Sequence, residues 1–157
     1  MNISIFGLGY VGCVSLGCLA KNGHHVTGVD VNETKVNQIN SGKPTIVEKD
    51  IEEIIREQHE QKRISATTDF RDAIMATELS IIAVGTPSTS TGHLELNYIF
   101  NVASNFGEAL KEKDQFHIIA IRSTIMPGTC EKFADKVEEI SGKKRDVDFC
   151  VLNNPEF

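Results

Sequence analysis

Short apolar runs alternate with amphipathic segments along the whole chain, and the period changes from one to the next. Residues 2–6, 25–30, 63–67, 79–84, 116–121 and 147–152 read as strands. Several of them are apolar throughout, the pattern of strands buried on both faces in a parallel sheet. Helical spacing fills the gaps between them. Val11, Val14, Cys18 and Leu19 recur on a helix over residues 10–22, closed by Gly23. Residues 34–39 make a short helix halted by Ser41-Gly42, and Ile51, Ile54 and Ile55 begin a surface helix whose continuation through Lys62, His59 included, is polar and exposed. Thr68-Asp69 caps a helix to about Ala76, and Ile99, Val102, Ala103, Phe106 and Leu110 stripe another. A last helix ends near Ile140. Six strands alternating with helices predict an α/β, doubly wound parallel sheet in the order 3-2-1-4-5-6, with right-handed crossovers.

Composition narrows the partners. The 157 residues fit one domain, are 40% hydrophobic and 24% charged, and carry a net charge of -6. An acidic chain lacks the basic face that nucleic acid or an anionic membrane requires, so neither is expected as a partner. An anionic ligand would then be held by local backbone donors. No apolar run approaches the roughly 20 residues of a spanning helix, and the N-terminal run has no basic region before it. The expected location is the cytoplasm. Cys13, Cys18, Cys130 and Cys150 have neither C-x-x-C nor metal-ligand spacing and read as buried free thiols, and no metal site is predicted.

One turn changes the picture more than composition does. The first strand runs straight into Gly7-Leu8-Gly9-Tyr10-Val11-Gly12, a G-x-G-x-x-G turn followed by a helix, as in a Rossmann-type dinucleotide fold. Gly7 permits the tight turn, Gly9 lets backbone approach a pyrophosphate, and Gly12 lets helix pack on sheet. The helix N-terminus supplies N–H donors and a positive dipole end for the phosphates. Asp30 ends the second strand, 18 residues after Gly12 and close to the roughly 20 expected. An acid there accepts hydrogen bonds from the adenosine ribose hydroxyls and repels a 2′-phosphate, which selects NAD over NADP. The alternative is that Asp30 merely caps the helix that follows. Thr86, at the end of the fourth strand, and Thr124, after the fifth, stand in hydroxyl-rich turns at strand carboxyl ends, where such sheets bind ligands. Lys35, one turn beyond Asp30, either reaches the cofactor or is simply solvated.

Five segments together resemble the UDP-glucose/GDP-mannose 6-dehydrogenases. They are Ile5 to Gly12, Gly28-Val29-Asp30-Val31, Val84-Gly85-Thr86-Pro87-Ser88, Arg122 to Thr129, and Asn154-Pro155-Glu156-Phe157. Ile46-Val47-Glu48 and Ser141-Gly142-Lys143-Lys144 read as the GDP-mannose branch does. The resemblance implies a four-electron oxidation of a nucleotide sugar, GDP-mannose or alternatively UDP-glucose, from alcohol through aldehyde and cysteine thioester to carboxylate, with two NAD. It implies that Tyr10 and Val11 meet the pyrophosphate through backbone N–H groups and that Asp30 and Lys35 hold the ribose. Thr86 and Thr124 would line the nicotinamide end, with catalytic roles for Thr124, near a water, and for Glu156, in acid/base chemistry. The family's nucleophilic cysteine, central helix and C-terminal substrate domain match nothing in residues 1–157, so the chain is expected to be the N-terminal dinucleotide-binding domain of a longer, homo-oligomeric enzyme, inactive by itself. The family's Glu-Pro-Gly-Leu stands here as Glu48-Lys49-Asp50-Ile51. A non-catalytic nucleotide-binding module, or a beta-hydroxyacid dehydrogenase with the same glycine start, are the alternatives, and the last two segments speak against the second.

Overall fold

A computed structural model describes residues 1–86 and 95–155. The elements are β1 (Asn2–Phe6), α1 (Tyr10–Lys21), β2 (His25–Val29), α2 (Glu33–Asn40), α3 (Ile51–Glu60), β3 (Ile64–Thr67), α4 (Phe70–Met75), β4 (Leu79–Ile82), α5 (Asn97–Leu110), β5 (His117–Ile121), α6 (Thr129–Ser141) and β6 (Phe149–Asn153). The six strands form one sheet in the order β3-β2-β1-β4-β5-β6, and every neighbouring pair is parallel. This is the predicted topology.

The two sheet faces have separate cores. One packs Ile3, Ile5, Val26, Ile64 and Ala66 under α1, α2 and α3. The other packs Phe6, Ile82, Ile119, Ile121 and Phe149 under α4, α5 and α6, with Phe106 of α5 at its centre, 5.1 Å from the Phe6 ring. The expected α5 stripe is buried in full.

Five expectations are corrected. In α1 the buried stripe is Gly12, Cys13, Leu16, Gly17 and Ala20, not Val11, Val14, Cys18 and Leu19. Small residues face inward because α3 lies close; a Cβ on Gly17 would stand 3.1 Å from Ile51 and Ile54. Cys13 alone is therefore buried, Cys18 is exposed, Cys130 and Cys150 are half-buried, and all four are free. In α3, Gln58 is buried on the stripe of Ile51 and Ile55, and His59 is half-buried over Gly42. β4 stops at Ile82 and leaves Ala83 and Val84 outside the strand. The Ile82 carbonyl accepts from both Arg122 N–H (2.9 Å) and Ser123 N–H (3.0 Å), which ends the ladder, and the Ser123 hydroxyl donates to the Val84 carbonyl at 2.7 Å. β6 begins at Phe149 because Val147 and Asp148 N–H both turn back to the Lys144 carbonyl, with Asp146 at φ 62°.

A polar chain crosses the amino-terminal half of the second core. Ser4, Ser80 and His117 share the face of Phe6, Ile82 and Ile119, and all three are fully buried. The Ser4 hydroxyl lies 2.6 Å from that of Ser80 and 3.1 Å from that of Thr77, and the Ser80 hydroxyl lies 2.8 Å from His117 Nε2. His117 Nδ1 has no hydrogen-bond partner by distance among the described residues. Lys113, also buried, donates its ammonium to the carbonyls of Ile74 (2.6 Å) and Thr77 (2.5 Å), closing the carboxyl end of α4. Burial, and then the Lys113 charge, push the His117 pKa down to about 3. The imidazole is neutral.

Candidate functional site

The glycine turn is built by three different fits. Gly7 has φ 95°, and a Cβ there would stand 2.6 Å from the Ala83 carbonyl oxygen, so the turn crosses the end of β4 on backbone alone. A Cβ on Gly12 would fall 1.8 Å from the Gly7 oxygen, so α1 sits directly on the turn. A Cβ on Gly9 would meet no described residue within 4 Å beyond its chain neighbours. That cradle is open, and a Cβ would project into ligand space. Gly9 is the N-cap of α1 and offers no side-chain acceptor to the first helical turn. Between the glycines, Leu8 is buried against Gly28, where a Cβ would stand 2.6 Å from Leu8 Cδ2.

Asp30 ties this turn to the end of β2. Its Oδ2 accepts from Leu8 N–H at 2.7 Å and from Lys35 Nζ at 3.3 Å, and its Oδ1 accepts from Asn32 N–H at 2.9 Å. Asn32, whose side chain accepts from Thr34 N–H, is the N-cap of α2. The capping alternative for Asp30 is therefore set aside. A carboxylate has about four lone-pair positions, so Oδ1 keeps one free acceptor site. The side chain of Lys35 is 34% exposed, against 9% for Asp30, and leans over the carboxylate as a second, movable donor.

Two adjoining cavities open at the carboxyl edge of the strands. The larger, about 640 Å³, runs from Gly7 and Gly9 past Asp30, Val31 and Lys35 to Phe70 and one face of α5. The smaller, about 350 Å³, lies between Gly9-Tyr10-Val11, Gly85-Thr86 and Arg122-Ser123-Thr124. Gly9, Ala83, Val84 and Gly85 line both, so the glycine turn is the saddle between them. Gly7, Gly9, Asp30 and Lys35 are thus gathered on the larger side and Tyr10, Val11, Thr86 and Thr124 on the smaller; Gly12 is packed beneath. Glu156 lies outside the described residues, as does the polar loop over residues 88–92. Asn154, two residues before Glu156, is fixed at the rim, donating its N–H to the Ile121 carbonyl (2.8 Å) and accepting from Arg122 Nη1 (3.0 Å).

The segment between α2 and α3 is clamped onto the same turn. The Thr45 hydroxyl donates to the Leu8 carbonyl at 2.8 Å, and the Tyr10 hydroxyl donates to Glu48 Oε2 at 2.7 Å. That bond, with the Lys49 N–H, holds the Glu48 carboxyl below its ordinary pKa. Asp50, where the family loop carries glycine, has φ 64°. Burial pushes the thiol pKa values of Cys130 and Cys150 up, away from the lowered range of a reactive cysteine.

The residues that sequence reasoning missed lie mostly on α5. Tyr98, Asn101 and Asn105 line the larger cavity. Their signal was a row of neutral polar side chains at i, i+3 and i+7 on a helix with one charged residue, Glu108, in 14.

The NAD binding domain model of the UDP-glucose/GDP-mannose dehydrogenase family matches residues 1–157. The chain belongs to that family. As a member of that domain family it takes NAD as its cofactor, and the open cradle at Gly9 fits such a dinucleotide. The GDP-mannose 6-dehydrogenase of Pseudomonas syringae pv. tomato is 50% identical across the whole chain, and the UDP-glucose 6-dehydrogenase of Haloferax volcanii is 37% identical. The chain spans 36% of the length of each. A ternary complex of GDP-mannose dehydrogenase from Pseudomonas aeruginosa superposes on all of this chain and 36% of its own, with a TM-score of 0.98 at 48% identity. None of the described helices is long and apolar enough to cross a membrane.

Proposed function

We propose that this chain is the N-terminal cofactor domain of a cytoplasmic, homo-oligomeric nucleotide-sugar 6-dehydrogenase, and that residues 1–157 bind NAD without turning over substrate. GDP-mannose is the favoured sugar nucleotide, since identity to the GDP-mannose 6-dehydrogenase of P. syringae is 50%, against 37% for the UDP-glucose 6-dehydrogenase of H. volcanii. The nucleophilic cysteine, central helix and substrate domain would belong to the rest of the parent.

The observation that carries the cofactor reading is the Asp30 carboxylate, fixed by two backbone N–H groups at the wall of the larger cavity with one acceptor position to spare. Oδ1 would accept a ribose hydroxyl, while Lys35 donates to the other. The pyrophosphate would cross the saddle at Gly9 and meet the N–H groups of Tyr10 and Val11. The smaller cavity would take the nicotinamide between Thr86 and Thr124. When bound, NAD supplies the hydride acceptor. Thr124, in the lining of that cavity, would orient a water beside the ring, and the rim anchored through Asn154 would carry Glu156 to it as acid and base.

Calorimetric titration tests the reading. NADP should bind on the order of a hundredfold more weakly than NAD, because its 2′-phosphate would stand against a carboxylate that is itself fixed. Asp30→Ala should weaken NAD at least tenfold, about one charge-assisted hydrogen bond. Equal affinity for the two cofactors, or an unchanged Asp30→Ala, would overturn it.

A further inference from the structure

The larger cavity has more wall than the ribose and phosphates use. If Asp30 takes the ribose and the phosphates leave toward Gly9, the base must turn the other way, between Val31 and Phe70 and against the exposed face of α5. That face is chemically unusual. Asn101 and Asn105 stand one turn apart on it, below Tyr98, and the opposite face is the core stripe. Their amides make no hydrogen bond among the described residues. A phosphate or a sugar acid would call for cations here, and α5 has none. An unpaired amide offers one acceptor and two donors at a single neutral tip, and the 6-amino edge of adenine offers a donor beside a ring-nitrogen acceptor.

From this we infer that Asn101 and Asn105 read the 6-amino edge of the adenine base, making α5 a specificity-determining element of the cofactor site. The inference rests on the ribose assignment to Asp30. Val31, 97% exposed, and the Phe70 ring supply the apolar contact for the ring faces, and the two amides supply the pattern that selects adenine.

Two mononucleotides isolate this contact: AMP, and purine riboside 5′-monophosphate, which lacks only the 6-amino group. Titrated calorimetrically into the chain, AMP should bind about three- to tenfold more tightly, the size of one net hydrogen bond. The double variant N101A/N105A, on an exposed helix face that alanine suits, should keep its melting temperature and bind both ligands alike. Equal binding of the two nucleotides by the unaltered chain, no binding of either, or a gap that survives in the double variant overturns the proposal. Asp30→Ala should weaken both nucleotides equally and keep the gap. An Asp30→Ala variant that binds both nucleotides as tightly as the unaltered chain would sink the ribose assignment and the base reading with it. Equal binding of the two nucleotides by the unaltered chain sinks the base reading alone.

Discussion

The buried His117 imidazole sets a definite pH dependence on stability. Its folded pKa is about 3, depressed from an ordinary 6.5 chiefly by burial and then by Lys113. The unfolded chain therefore binds a proton that the folded chain refuses, and stability rises with pH across that interval. The contribution is complete above pH 6.5 and is lost as pH falls toward 3, at about 1.4 kcal/mol per unit, about 5 kcal/mol in all. Between pH 7 and 5, where most carboxylates stay ionised, the loss is about 2 kcal/mol. The geometry gives the reason. Nε2 meets the Ser80 hydroxyl, and an imidazolium would hold a full charge in the core beside the buried Lys113. Urea unfolding at pH 7, 6 and 5 should show this slope in the unaltered chain. His117→Asn, less stable at pH 7 because it leaves a gap beside Phe106, should lack the His117 part of the slope. If the two proteins lose equal stability from pH 7 to 5, the neutral buried imidazole is refuted.

The glycine turn gives a paired test. Gly9→Ala should leave the melting temperature within about 4 °C of the unaltered chain, since its Cβ meets nothing and Ala costs little more than a weaker cap, yet reduce NAD affinity at least tenfold. Normal NAD binding in that variant would refute close backbone approach at Gly9. Gly12→Ala should destabilise by about 1–3 kcal/mol in thermal melts, because its Cβ would lie 1.8 Å from a backbone oxygen; an unchanged melt would show that the turn is not packed as described. Asp50→Gly should stabilise by about 0.5–1 kcal/mol by relieving a left-handed residue whose side chain makes no capping bond, and a lower melting temperature would count against that.

The fold was legible because parallel strands buried on both faces leave apolar runs, and each run here is punctuated by a helix with its own period. The cofactor elements were legible for a related reason: Gly7, Gly9, Gly12 and Asp30 are read from residue type and spacing alone. What escaped depends on packing partners that no local pattern contains. The inward stripe of α1 is made of small residues, so it shows no apolar signal, and only the proximity of α3 explains it. Ser4, Ser80 and His117 sit inside runs that otherwise read as core, and their mutual hydrogen bonds join residues 37 and 76 positions apart. The α5 asparagines went unassigned because the cavity in front of them is formed by β1, β2 and α4, far away in sequence.

The two ends of the strands are chemically opposite, and that opposition explains how an acidic chain can hold an anionic cofactor. At the amino half, the side chains of Ser4, Thr77, Ser80 and His117 are joined by hydrogen bonds, and Lys113 donates to the Ile74 and Thr77 carbonyls, which ties β1, β4 and β5 together. At the carboxyl edge the cations near the cavities are already engaged, Lys35 with Asp30 and Arg122 with Asn154. Lys35 is neutralised by its carboxylate, and Arg122 is held at the rim of the smaller cavity. Arg122 keeps its charge, since Asn154 is a neutral amide, and the first turn of α1 adds donors fixed in place by the Gly12–Gly7 contact. Backbone donors of this kind are useful only if the strands that carry the turn do not move. The sealed polar chain below and the open glycine saddle above are therefore two parts of one arrangement.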